Sequence, residues 1–180
     1  MSTNSIRRKI GLFLLRKRNT TAKDKGLINY ENSRKFGIIF EAKKGQDLNP
    51  VQSFINHLRE DKKELYVLKY VPDRNKAYAK NSIFKTLLTK KDLNFFTIPK
   101  KKSITNYTRN NYDILINLLQ TRDLTSHYIS ACCNARLKVA PYTEEFSHVY
   151  DLMIDVKEDT KLDEIIEIID KYIRMINKNQ

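Results

Sequence analysis

The chain has 180 residues, 41% of them hydrophobic and 10% aromatic, with a net charge of +13 and a pI near 9.7. This length and apolar content fit one domain with a real core and exclude a disordered or repeat architecture. No apolar stretch approaches the roughly 18–20 residues that span a bilayer, and two adjacent cysteines cannot make a disulfide framework, which points to a reduced, cytoplasmic chain.

Residues 5–18 read as a basic amphipathic helix, with Ile6, Ile10, Phe13 and Leu14 on one face and Arg7, Arg8, Lys9, Arg16, Lys17 and Arg18 around it. The segment SIRRKIGLFLLRKRN starts like a secretion signal. Its apolar run IGLFLL is short, RKR follows at once, and no small-residue cleavage site appears, so secretion is rejected. Residues 19–35 form a polar connection. KFGIIFEA (35–42) is a continuous apolar run, as expected of a buried parallel strand. After the loop KKGQDLN, Asn49 is placed as the cap of a helix with Pro50 in its first turn and Val51, Phe54, Ile55 and Leu58 at helical spacing.

ELYVLKYV (64–71) is the second strand, and residues 72–92 are basic and irregular, with a short helix expected at SIFKTLL. LNFFTIP (93–99) reads as a third strand ended by Pro99, and KKKSITNYTRN as a small helix. YDILINLL (112–119) is the fourth strand. A helix at 123–133 follows, capped near Asp123 or Thr121. In SACCNARLKV, Asn134 is expected as a left-handed C-terminal cap, and RLKVA (136–140) as the fifth strand. VYDLMIDV (149–156) is the sixth strand, and residues 160–177 are a closing helix with Leu162, Ile165, Ile166, Ile169, Tyr172, Ile173 and Ile176 as its stripe.

Strands alternating with helices predict a three-layer, Rossmann-like α/β domain. Its sheet is mostly parallel, of five or six strands, with helices on both faces. Residues 1–34 form the basic N-terminal helix and connection, and residues 35–180 the single domain. Ligands of such sheets bind beyond the carboxyl ends of the strands, where the strand order switches. The predicted crevice lies between the loops after strands one and four, lined by Glu41, Lys43, Lys44, Gly45, Asp47, Asn117, Gln120 and Thr121.

FGIIFEA, YVLKYV, KKDLNFFTIP, YDILINL, HYISACCNARLKVAPY and YDLMIDV, taken together from about residue 34 onward, resemble a family of short bacterial proteins classed only as a domain of unknown function. That resemblance implies a fold and no mechanism. More weakly, DILINLL followed by a helix and LKV is similar to the N-terminal half-domain of heptosyltransferase-like glycosyltransferases. That family implies a second, nucleotide-sugar-binding domain, for which this chain has no room. It also implies a catalytic aspartate in the first loop, for which this chain has no obvious match; Asp47 is the only nearby candidate.

Chemical motifs are few. Adjacent cysteines on a helix point about 100° apart, unlike a metal pair, so Cys132 and Cys133 read as core packing rather than a reactive or metal-binding pair. His57, His127 and His148 lack triad partners and read as surface or cap residues. Asp151 and Asp155 flank a strand, where such residues bind metal or ribose, or cap the next element. KKGQD carries neither dinucleotide nor P-loop glycines, so no cofactor is assigned.

The basic stretches remain. Residues 1–111 hold 26 Lys and Arg against 9 Asp and Glu, whereas residues 112–180 hold 8 against 12. RRK…RKR (7–18), KYVPDRNKAYAK and KKDLNFFTIPKKK interleave cations with aromatics, a pattern that neutralises phosphates and stacks on unpaired bases. The competing reading is solvated loops around core aromatics, in a composition whose Lys content an AT-biased genome inflates.

The first expectation is therefore a non-enzymatic module docking on RNA or a ribonucleoprotein surface. Arg7, Arg8, Lys9, Arg16, Lys17, Arg18, Lys43, Lys44, Lys100, Lys101 and Lys102 are its anion-binding set. The alternatives are a glycosyltransferase-like or nucleotide-binding enzyme using the crevice, and a peripheral membrane or complex subunit anchored by residues 5–18.

Overall fold

Continuous apolar runs become the inner strands of a parallel sheet, because a strand covered on both faces has no polar side to show. The computed structural model describes residues 3–18, 28–43, 45–72, 86–119, 123–157 and 159–176. Its elements run α1 (Thr3–Arg16), β1 (Lys35–Glu41), α2 (Asn49–Glu60), β2 (Glu64–Val71), β3 (Thr86–Thr89), α3 (Lys101–Thr108), β4 (Asn111–Asn117), α4 (Leu124–Cys132), β5 (Asn134–Pro141), β6 (Leu152–Ile154) and α5 (Leu162–Met175). Short 3-10 helices at Lys90–Asp92 and Glu144–Val149 complete it.

The six strands pair in the order β3-β2-β1-β4-β5-β6, every pair parallel. The molecule is thus a Rossmann-like α/β fold whose order switches between β1 and β4.

Alternation along the inner strands separates two cores. Phe36, Ile38, Phe40, Ile114 and Ile116 face α2 and α5, meeting Val51, Phe54, Ile55 and Leu58 from one helix and Ile165, Ile166, Ile169 and Ile173 from the other. Ile39, Leu68, Tyr70, Leu88 and Leu115 face the opposite way, toward Ile104 and Tyr107 of α3 and Ile129 of α4. On that second side α1 packs against α4, and Leu15 joins a third apolar cluster with Leu124, Ala131, Phe146 and Val149.

Several sequence expectations change. LNFFTIP is not a strand. Asn94 Oδ1 accepts from the backbone of Phe96 at 2.9 Å and Ile98 at 3.1 Å, closing a turn, and Thr97 takes a left-handed φ of 60°. Only an isolated antiparallel bridge joins Leu93 to Pro99. The third strand is instead Thr86–Thr89, which replaces the end of the helix expected at SIFKTLL; residues 73–85 lie outside the described residues. Leu48, not Asn49, holds the cap position of α2. Asn134 is not left-handed: it opens β5, its amide donating to Asn111 Oδ1 at 2.8 Å.

The face of α1 is also reversed. Ile6, Ile10 and Phe13 are 48%, 37% and 56% exposed, while Gly11 and Leu15 turn inward. A methyl built on Gly11 would meet Leu124 Cδ2 at 2.2 Å, so the missing side chain is what lets α1 lie against α4. Tyr172, placed on the buried stripe of α5, is likewise exposed.

His127 is no surface residue. It is fully buried, stacked on Phe146 at 3.8 Å, with Nδ1 2.7 Å from the Tyr150 hydroxyl. Asn117 Nδ2 donates to the same hydroxyl at 2.7 Å. His57 and His148 are exposed. The Asp151 carboxylate accepts from the Lys138 backbone at 2.9 Å, tying the start of β6 to β5. Cys133 is fully buried and burial pushes its thiol pKa up; Cys132 is half-buried and shifted the same way.

Candidate functional site

The carboxyl ends of β1, β2 and β3, together with the segment after β4, open on one cavity of about 460 Å³. Glu41 ends β1, Tyr70 lies near the end of β2, Lys90 follows β3, and Asp123 stands between β4 and α4. Asp123 has extended backbone at the cap position of α4. Its Oδ1 is 3.2 Å from Thr125 Oγ1, while Oδ2 is buried without a hydrogen-bond partner.

Burial raises the Asp123 carboxyl pKa, against hydrogen bonds from Thr125 and Ser126 and the charge of Arg8. Glu41 is raised too, again first by burial. Lys43, 3.2 Å away, opposes the shift, and the charge of Asp123 adds to it. The Tyr70 phenol is pushed up to about 12 by burial and by Asp123, against a hydrogen bond with Thr125. Thr125 Oγ1 also donates to the carbonyl of the left-handed Thr97 at 3.0 Å. No group of three or more metal-ligating side chains occurs among the described residues. The cavity therefore offers two part-buried acids, a phenol and two cations, Arg7 and Lys90, as binding groups.

A second constellation lies on the outer surface of the α1–α4–α3 layer. The Arg7 guanidinium sits 3.9 Å above the ring of Phe95 and donates from Nε to the Phe95 carbonyl at 2.8 Å. Phe95 itself is 61% exposed. The Phe96 carbonyl lies 3.3 Å from a methyl built on Gly11. Farther along, Arg18, Pro99, Lys101, Arg109, Tyr128 and Cys132 line a groove of about 320 Å³. The turn 93–99 thus runs beside α1. It brings the basic segments 7–18 and 90–102, far apart in sequence, onto one surface.

The start of α3 is unusual. Lys100, Lys101 and Lys102 crowd the positive end of its dipole, with no acidic residue in the first turn. Each like charge there is unfavourable by about 0.3–1 kcal/mol, and a bound anion would relieve it.

The other expected residues divide between these places. Lys9, Arg16 and Lys17 are exposed on or just after α1. Arg8 is paired with Glu145, and Lys100 donates to the Lys91 carbonyl at 2.8 Å. Of the predicted crevice, Glu41 lines the cavity. Asn117 is fully buried and its amide is engaged inside the protein. Gly45 takes a left-handed φ of 75° in an open turn. Asp47 accepts from the Asn49 backbone at 2.9 Å, an Asx turn leading into α2. Lys44, Gln120 and Thr121 lie outside the described residues.

Sequence reasoning missed Asp123, Tyr70 and Thr125 as site residues, and Arg109 and Tyr128 as groove residues. Asp123 carried one usable signal: an acid just past the fourth strand, at the switch point.

The model of a family of unknown function, DUF6913, matches residues 4–176, and the chain belongs to that family. No curated protein matches it. A solved structure of similar fold is a glycosyl transferase of family 9 from Veillonella parvula, at a TM-score of 0.50 and 14% identity over 82% of this chain and 43% of that one. The chain therefore spans less than half of that enzyme's length, and at this identity the likeness concerns the fold.

Proposed function

For this member of a family of unknown function, we propose a non-enzymatic RNA-binding role in the cytoplasm, docking the α1–α4–α3 layer on single-stranded RNA or a ribonucleoprotein surface. The supporting observation is the segregation of charge across the sheet. The three helices on this side contain six Lys and Arg and no acidic residue, while α5 on the other side contains four acids and two bases. Arg18, Lys101 and Arg109 rim the groove, and Phe95 offers an exposed ring beside Arg7. Cations of this kind hold phosphates, and an exposed ring stacks on unpaired bases at about 1–3 kcal/mol per base.

Filter binding to total cellular RNA tests this. With about six phosphate contacts to a single strand, affinity falls by about 300-fold between roughly 50 and 200 mM salt. Absence of binding at the lower salt would end the proposal.

A second reading has its own observation, the exposed apolar line of Ile6, Ile10 and Phe13 flanked by cations, which suits an anionic membrane or a partner groove. Sedimentation with anionic vesicles that is lost on replacing these three residues by Gln would favour it over RNA. Glycosyl transfer draws on fold likeness alone, and the likeness covers only 43% of that enzyme.

A further inference from the structure

Two apolar stripes stand uncovered, one on each side of the sheet. On α1, Ile6, Ile10 and Phe13 are the exposed residues noted above. On α5, Tyr172 and Met175 are 48% and 57% exposed, and Ile168 is half-buried beside them. We infer that the α1 stripe of one copy of this chain docks on the α5 stripe of a second copy, with the two helices antiparallel. The inference goes beyond the RNA and membrane readings and rests on neither.

The spacing of the two stripes matches. Ile6, Ile10 and Phe13 stand at positions i, i+4 and i+7, and so do Ile168, Tyr172 and Met175. Residues so spaced share one face of a helix over two turns, and such rows pack side by side between helices. The residues that each helix turns fully inward are others: Gly11 and Leu15 on α1, and Ile165, Ile166, Ile169 and Ile173 on α5.

Charge selects the occupant and its direction. Residues 3–18 contain Arg7, Arg8, Lys9, Arg16, Lys17 and Arg18 and no acid, so two α1 stripes would repel each other. On α5, Asp163, Glu164 and Glu167 are all exposed. Among the described residues these three acids make no ion pair, whereas Asp170 is held by Arg174. Antiparallel helices with Phe13 against Ile168 bring Arg16 and Lys17 over Glu164 and Glu167. A parallel pair would leave both cations beyond Met175, where α5 ends. Charges in contact lie well within the Debye length of about 8 Å at physiological salt, while the net +13 is spread over the whole surface and largely screened there.

The position of the stripes sets the symmetry. They lie on opposite sides of the sheet, since α1 packs on α4 and α5 on α2. The contact is therefore head-to-tail: each copy gives α1 to one neighbour and α5 to another. A contact of two short stripes is small, so association is weak and depends on concentration. The same register sets Lys9 beside Lys171, a like-charge approach within the contact. Lys171→Glu should remove that repulsion and tighten it.

The test is sedimentation velocity on the full chain at about 150 mM salt, after ribonuclease treatment so that RNA cannot bridge copies. Wild type is expected to rise in average mass above 21.3 kDa as concentration passes through the micromolar range. One variant carries Arg16→Glu with Lys17→Glu, and another Tyr172→Gln with Met175→Gln. Each alone should associate at least about tenfold more weakly than wild type. Mixed in equal amounts they should form a discrete dimer, because the first keeps its α5 stripe and the second its α1 stripe. Lys171→Glu should associate more tightly than wild type. The inference is overturned if wild type stays monomeric up to about a millimolar, if either double variant associates as wild type does, or if their mixture stays monomeric. Binding to anionic vesicles through Ile6, Ile10 and Phe13 by a chain that remains monomeric would assign the stripe to a membrane and overturn it too.

Discussion

Asp123 places a carboxylate oxygen without a hydrogen-bond partner inside the fold. It holds the cap position of α4, yet Oδ2 has no partner and burial raises its pKa above the ordinary 3.8. The folded protein therefore binds that proton more tightly than the unfolded chain does. Its contribution to stability is favourable at low pH and declines as pH rises from the ordinary value through the raised one. Asn caps a helix as well as Asp and carries no charge. Asp123→Asn should thus be about 1 kcal/mol more stable than wild type near pH 7, with the gap closing toward about pH 4. Melting curves of the two proteins across that range check the sign; a less stable variant at neutral pH would show that the carboxylate is satisfied. None of this was legible in the sequence, where Asp123 looked like one more helix cap. Thr97 and Tyr70, which line the same cavity as Asp123, come from distant segments.

At the scale of elements, composition located segments well and faces less well. The inner strands were readable because burial on both sides demands unbroken apolar runs, as in FGIIF and YDILIN. The edge strand TLLT was not, being four residues long and half-buried. FFTI has strand-forming residues, but the Asn94 side chain closes a turn that overrides them. For α1, apolar periodicity pointed to Ile6, Ile10 and Phe13, whereas close approach at Gly11 decides which side meets α4. A contrast of two truncations follows. Leu15→Ala should cost about 2–5 kcal/mol, because Leu15 is fully buried in the cluster with Leu124 and Phe146. Phe13→Ala should stay within about 0.5 kcal/mol. Chemical denaturation of both variants measures this, and the reverse ranking would mean that α1 packs on its other face.

Across the whole molecule, the sheet works as a partition. Charge counts along the chain already placed the positive excess in the first 111 residues, but not on one surface. That required the turn 93–99 to lie beside α1, so that Arg18 and Lys101 share a groove. The same partition leaves α5 with its acids facing the other way. The most direct measurement is the salt dependence of binding to a single-stranded RNA oligomer by wild type and two triple Gln variants. One replaces Arg18, Lys101 and Arg109 around the groove; the other replaces Arg59, Lys161 and Lys171, all exposed on the α2–α5 side. Both lower the net charge equally. The groove variant is predicted to bind more weakly at every salt and to lose about 2 from the slope of log affinity against log salt, with the α2–α5 variant close to wild type. Equal losses in the two variants, or none in either, would contradict a basic face built for RNA.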